Sequence, residues 1–152
     1  MVVSAQLNQE PKKITKKFFS EHNDIENITP ALKKKKGFTN YKELLSYIDE
    51  KVQKYPELVS SNFIGESQKG KKIPNLYIIK NSDDDIKKLR VWMQGGLHGN
   101  EPASTESLLY LIHLILENPA YKYLLDKIDL AILPMANTVS YTHLTLPTNR
   151  EV

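Results

Sequence analysis

The sequence predicts an α/β protein. Three observations carry this reading. An apolar run at 89–94 ends at Gly95-Gly96, and a long apolar segment opened by Pro102 follows it. Ahead of it lie an amphipathic stretch at 39–55 and two β-rich runs at 60–67 and 72–80 joined by a turn. Behind it, another apolar run spans 128–135. Strands that alternate with helices of this length pack the helices against a sheet.

The chain has 152 residues, room for one domain. It has no cysteine, which excludes a disulfide framework and a thiolate site. No apolar run approaches the length of a membrane span. Net charge is +3, but Lys12, Lys13, Lys16, Lys17 and Lys33 to Lys36 crowd the first quarter. Without aromatic interleaving, this reads as a solvated basic lead-in, and no nucleic-acid partner is expected. Pro11, Pro30 and the lysine run argue for an irregular arm over 1–37, with the folded domain at 38–138. Val3-Ser4-Ala5 resembles the small-residue end of a secretory signal peptide, which suggests a secreted or periplasmic protein. An ordinary short N-terminus is the equal alternative.

In the 39–55 segment, Tyr41, Leu44, Leu45, Ile48, Val52 and Tyr55 recur at three- and four-residue steps, giving one apolar helix face. Thr39 or Asn40 can cap its start, and Pro56 marks its stop. Gly70 suits the hairpin turn, and Pro74 implies an edge position or a bulge in the second strand. Asp83-Asp84-Asp85 reads as a solvated loop, since nothing converges on it. The 102–118 helix is apolar almost all round, as expected of a helix packed on a sheet and covered by other elements. Glu106 in its first two turns offsets the helix dipole or at most supports a ligand from behind, and His113 is a structural or surface histidine. Residues 119–127 look like a short helix before the last strand.

Chemistry concentrates at 91–106. His98 and Glu101 lie three residues apart in the turn between strand and helix, so both can converge on one point. Imidazole and carboxylate are both zinc ligands, and the exit of a strand into a helix is where α/β sheets bind ligands. Pro102 fits the first helical position. The helix dipole there favours an anion at Glu101.

Gly95-Gly96-Leu97-His98-Gly99-Asn100-Glu101 resembles the zinc-ligand motif of the carboxypeptidase A/B-type zinc peptidases. His-Gly-Asn-Glu also resembles the related aspartoacylase and succinylglutamate desuccinylase branch. The helix ending in Tyr55-Pro56, then Ile64-Gly65-Glu66-Ser67, then the Gly70-Lys71 turn resembles what precedes that motif in the peptidases. The strand ending in Pro134-Met135-Ala136-Asn137 is similar too. The resemblance implies a three-layer α/β sandwich with a mixed β-sheet, here truncated. It implies Zn2+ bound by His98 and Glu101, with a later His as third ligand. A separate Glu beyond this chain would be the general base, and the substrate a peptide or protein cut at its C-terminus. An aspartoacylase-like deacylase is one alternative, and a non-catalytic α/β binding domain with a basic arm is another.

Residues 139–152 depart from the family and resemble translated sequencing-adapter read-through, so native sequence is expected to end near Thr138. His143 is then no third ligand, Asn149-Arg150 no substrate clamp, and the chain as given is expected to be inactive.

Overall fold

The computed structural model describes residues 14, 17, 28–34, 37–81 and 87–139. Its elements are helix α1 (Tyr41–Lys54), strands β1 (Val59–Glu66), β2 (Lys72–Ile78) and β3 (Leu89–Gln94), helix α2 (Pro102–Glu117), a 3-10 helix (Pro119–Asp126) and strand β4 (Ile128–Leu133). The four strands form one sheet in the order β1-β2-β4-β3. β1 with β2 and β2 with β4 are antiparallel, whereas β3 and β4 are parallel and joined through α2. The α/β class and the mixed sheet are as the sequence implied.

A capping box starts α1. The Asn40 side chain accepts from Glu43 N–H at 3.0 Å, and the Glu43 carboxylate accepts from Asn40 N–H at 2.8 Å. Such a cap stabilises a helix by about 1 kcal/mol. Asn40 is therefore the cap, and Thr39 is used elsewhere. Lys34 adds an ion pair to the same carboxylate at 2.7 Å. Thr29, ahead of this cap, is buried as well.

The β1–β2 hairpin turns at Gly70, whose φ of 71° is left-handed, as the sequence suggested. β2 is an interior strand, yet at Pro74 its β4 side is unpaired, so Pro74 is locally at an edge, as expected, and the irregularity opposite it lies in β1. The register shifts between Phe63, opposite Pro74, and Gly65, opposite Ile73. Pairing of β2 with β4 covers only Leu76 to Ile78, so Pro74 has a strand neighbour on one side alone. The segment at 119–127 tightens into a 3-10 helix, capped by Asn118 accepting from Ala120 N–H at 3.0 Å. Asp83, Asp84 and Asp85 lie outside the described residues.

One core holds the molecule together. Leu44 and Ile48 of α1 and Leu109, Ile112 and Leu116 of α2 pack with Leu76, Ile78, Leu130 and Ile132 of the sheet. Burying each such side chain stabilises the fold by about 1.5–3 kcal/mol. Both helices thus cover the same sheet face, and the described residues supply the sheet and one helical layer. The opposite face carries Trp92, half exposed, beside Tyr77 and Ala131.

The helices lie side by side in the same direction. Thr39 bonds Glu106, the buried Tyr47 hydroxyl donates to Leu109 C=O at 2.8 Å, and Lys51 meets Glu117 at 2.6 Å. Burial pushes the Tyr47 hydroxyl far above its ordinary pKa, and the Glu50 and Glu117 charges add to this. At the C-terminal ends, Lys54 also reaches Glu117 at 2.8 Å. Burial pushes the Glu117 carboxyl up, but hydrogen bonds and charge from Lys51 and Lys54 outweigh it and hold it at about 2. A carboxylate at a helix C-terminus opposes the dipole, and the two lysines offset that cost.

The depressed Glu117 pKa fixes a pH dependence. Its contribution is fully present above the unfolded value of about 4.3 and is lost as pH falls through about 2. Replacing Glu117 with Gln is expected to cost about 1–2 kcal/mol at pH 7. The gap between the variant and wild-type urea midpoints should close as pH drops from 4.5 toward 2.

Candidate functional site

The proposed ligands stand where β3 leaves the sheet. Beyond its last residue the backbone stays zipped to the segment after β4. Gly95 N–H donates to Leu133 C=O at 2.9 Å, and Ala136 and Asn137 N–H groups donate back to Gly95 and Gly96 C=O at 3.0 and 2.9 Å. This continuation brings the backbone against the first turn of α2. A Cβ on Gly95 would sit 2.9 Å from Leu108 Cδ1 and 3.0 Å from the Ser104 carbonyl oxygen. At Gly96, with φ of 61°, it would sit 2.8 Å from Thr105 Oγ1 and 2.9 Å from Met135 Cα. Both positions therefore exclude a side chain, the second on conformation as well as space.

Two hydroxyls of α2 lock this turn. Buried Thr105 donates to Pro134 C=O at 2.7 Å. Ser104 accepts from Gly96 N–H at 2.9 Å and donates to Glu101 C=O at 3.1 Å. Sequence pattern alone assigns neither residue a role. Their signal was two hydroxyl side chains in the first turn of a helix that follows Gly-Gly.

Between these anchors the chain bulges into solvent. Glu101 N–H donates to His98 C=O at 3.1 Å, closing a tight turn. The side chains of His98 and Glu101 are 64% and 65% exposed, and His98 Nδ1 lies 3.1 Å from Glu101 Oε2. Glu101 is the N-cap residue of α2, yet its carboxylate makes no capping bond and turns to His98 instead.

The pair fits zinc. Bonds of about 2.0–2.1 Å in tetrahedral geometry set neighbouring donors about 3.3 Å apart. The observed 3.1 Å between nitrogen and oxygen is close to that edge. The donor types suit the ion, and the exposed face leaves room for further ligands. Among the described residues no third His, Cys, Asp or Glu joins them.

Glu106 is engaged elsewhere. Its carboxylate accepts from Thr39 N–H at 2.7 Å, Thr39 Oγ1 at 2.9 Å and Thr29 Oγ1 at 3.2 Å, tying α2 to the segment ahead of α1. His113 sits about 18 Å further along the helix than Glu101, at 1.5 Å per residue, and faces Glu117 at 3.5 Å. It is a structural histidine, as the sequence suggested. His143, Asn149 and Arg150 lie outside the described residues.

Residues 44–145 match the family model described as zinc carboxypeptidase. Over 91 residues the chain is 40% identical to carboxypeptidase 2 of Trichophyton rubrum, covering 55% of this chain and 17% of that protein. It is 30% identical over 109 residues to carboxypeptidase B of Helicoverpa zea, covering 70% of this chain and 25% of that one. The crystal structure of the carboxypeptidase A from Helicoverpa armigera superposes with a TM-score of 0.65 at 32% identity, over 70% of this chain and 26% of that one. The chain thus spans a quarter or less of the length of these two curated relatives.

The glycine turn gives a direct test. Gly96→Ala is expected to cost about 2–4 kcal/mol in urea denaturation, from a positive φ plus contact with backbone that cannot yield. Ser107→Ala, on the exposed side of the same helix, should shift stability by about 0.5 kcal/mol or less.

Proposed function

The chain belongs to the zinc carboxypeptidase family, and on that premise we propose that the protein hydrolyses C-terminal peptide bonds in a zinc-dependent reaction, with His98 and Glu101 as two of the metal's ligands. The observation that carries this is the convergence of His98 Nδ1 and Glu101 Oε2 to 3.1 Å on a loop braced at both ends. Zinc held there would bring the pKa of a bound water toward neutrality and polarise the scissile carbonyl.

The remaining chemistry belongs to the chain. His98 Nδ1 faces Glu101 Oε2, where an N–H donates to the carboxylate; a metal between them would take that proton's place and the Nδ1 lone pair of the neutral imidazole. Because its carboxylate does no capping, Glu101 is free to act as a ligand. The positive end of the α2 dipole lies beside it and favours the anion. Pro102 occupies the first helical position, where its missing N–H leaves no intrahelical bond unmade. As a ligand, Glu101 is not the general base. We assign that base, a Glu, and the third ligand, a His, to residues other than the described ones. The exposed loop admits a peptide from solvent, and among the described residues no third ligand joins the pair.

Carboxypeptidase action is preferred over deacylation because the similarity runs through the elements ahead of the motif. The matched region begins at residue 44, inside α1, and includes the whole hairpin. A non-catalytic α/β binding domain with a basic arm is less favoured, since the family match runs over 44–145 and includes the metal-ligand motif.

Assay of the full-length gene product decides among these. It should release the last residue of a peptide with a free C-terminus, and not act on the amidated peptide or an N-acyl amino acid. A chelator should abolish activity and zinc restore it. His98→Ala and Glu101→Ala should each lower kcat/KM by about 100-fold or more, of the order expected for losing a whole set of metal interactions. Preference for the N-acyl amino acid would move the protein to the deacylases. Activity indifferent to chelator and to both substitutions would overturn the proposal.

A further inference from the structure

The candidate metal pair stands on an exposed loop, yet one hydroxyl holds both of its ends. Gly96 precedes the loop and Glu101 closes it. Ser104 bonds the N–H of the first at 2.9 Å and the C=O of the second at 3.1 Å. The bonds from Ala136 and Asn137 secure only the strand side. The bond from Glu101 N–H to His98 C=O fixes the turn within the loop but ties it to nothing outside.

Ser104 is the third residue of α2. In a capping box the side chain at that position reaches back to the N-cap N–H. Here the short hydroxyl reaches back to the N-cap carbonyl and across to Gly96. Its proton and one lone pair are both used, so the rotor is fixed. The Glu101 side chain makes no capping bond of its own, and its carboxylate is left to face His98. Ser107, one turn later, offers a contrast. It back-bonds to Ala103 C=O at 2.7 Å, within the helix.

We propose that Ser104 is a positioning residue for the metal pair, its hydroxyl clasping the two ends of the loop and so setting the spacing of His98 Nδ1 and Glu101 Oε2. The proposal rests on the zinc reading of that pair. Ser104 touches neither donor atom. It acts through the backbone that carries them, as groups behind a ligand orient it.

The test is a zinc chloride titration of the 152-residue chain, followed by the His98 side-chain NMR signals, with urea midpoints measured in parallel. Ser104→Ala should weaken zinc binding roughly tenfold. Ser104→Thr, which keeps the hydroxyl, should restore it to within about two- to threefold of wild type, and Ser107→Ala should leave it unchanged. The Gly96 amide resonance should move in Ser104→Ala and return in Ser104→Thr. If Ser104→Ala fails to fold, Ser104→Val, the hydroxyl-free counterpart of Ser104→Thr, replaces it with the same expectation. Wild-type zinc affinity in Ser104→Ala, alongside loss of binding in His98→Ala, would overturn the clasp and leave the zinc reading intact. Equal weakening in Ser104→Ala and Ser104→Thr would also overturn it, since the hydroxyl would then not be the cause. Unchanged binding in His98→Ala would remove the zinc reading, and the clasp's role with it.

Discussion

At Gly95-Gly96 the backbone runs so close to the first turn of α2 and to Met135 that neither residue could carry a methyl group without moving its neighbours. Three things follow from that contact. The tails of the parallel strands stay paired beyond the sheet, through Gly95, Gly96, Ala136 and Asn137. The start of α2 is fixed against the sheet by Thr105 and Ser104. The intervening residues, with no room inward, are extruded into solvent carrying His98 and Glu101. The site is thus a consequence of how tightly the strand-to-helix corner is packed. A rigid scaffold presenting an exposed loop is a common way to combine precision with access.

The same helix is anchored along its length. Glu106 binds Thr39 and Thr29 near the N-terminal end, Leu109 accepts from Tyr47 in the middle, and Glu117 meets Lys51 and Lys54 at the far end. Parallel neighbours place like dipole ends together, which is unfavourable. Lysines in the last turn of α1 stand where cations offset that repulsion, while Glu117 is held ionised between them. Apolar burial in the shared core supplies the larger share of the stabilisation, and these polar links fix the register of one helix on the other.

Much of this was legible in the sequence because it depended on local pattern. The period of Tyr41, Leu44, Ile48 and Val52, the stop at Pro56, the turn at Gly70 and the Pro102 start all reappear within a residue or two. His98 and Glu101 were legible as a pair because glycines and a proline bracket them. What the sequence hid was long-range. Glu106 could not be seen to reach Thr39 and Thr29, since its partners lie 67 and 77 residues away. That β4 pairs with only the second half of β2, leaving Pro74 locally at an edge within an interior strand, depended on a segment far along the chain. That both helices share one sheet face also required tertiary contacts, as periodicity names a buried side without saying what covers it.

In the proposed site one zinc ion would lie between His98 Nδ1 and Glu101. Anomalous diffraction at the zinc edge, from crystals grown with zinc, tests it most directly. A peak is expected about 2.0–2.2 Å from His98 Nδ1 and from a Glu101 carboxylate oxygen. A loop free of anomalous density, with zinc bound instead at His113 and Glu117 or at no ordered place, would contradict it.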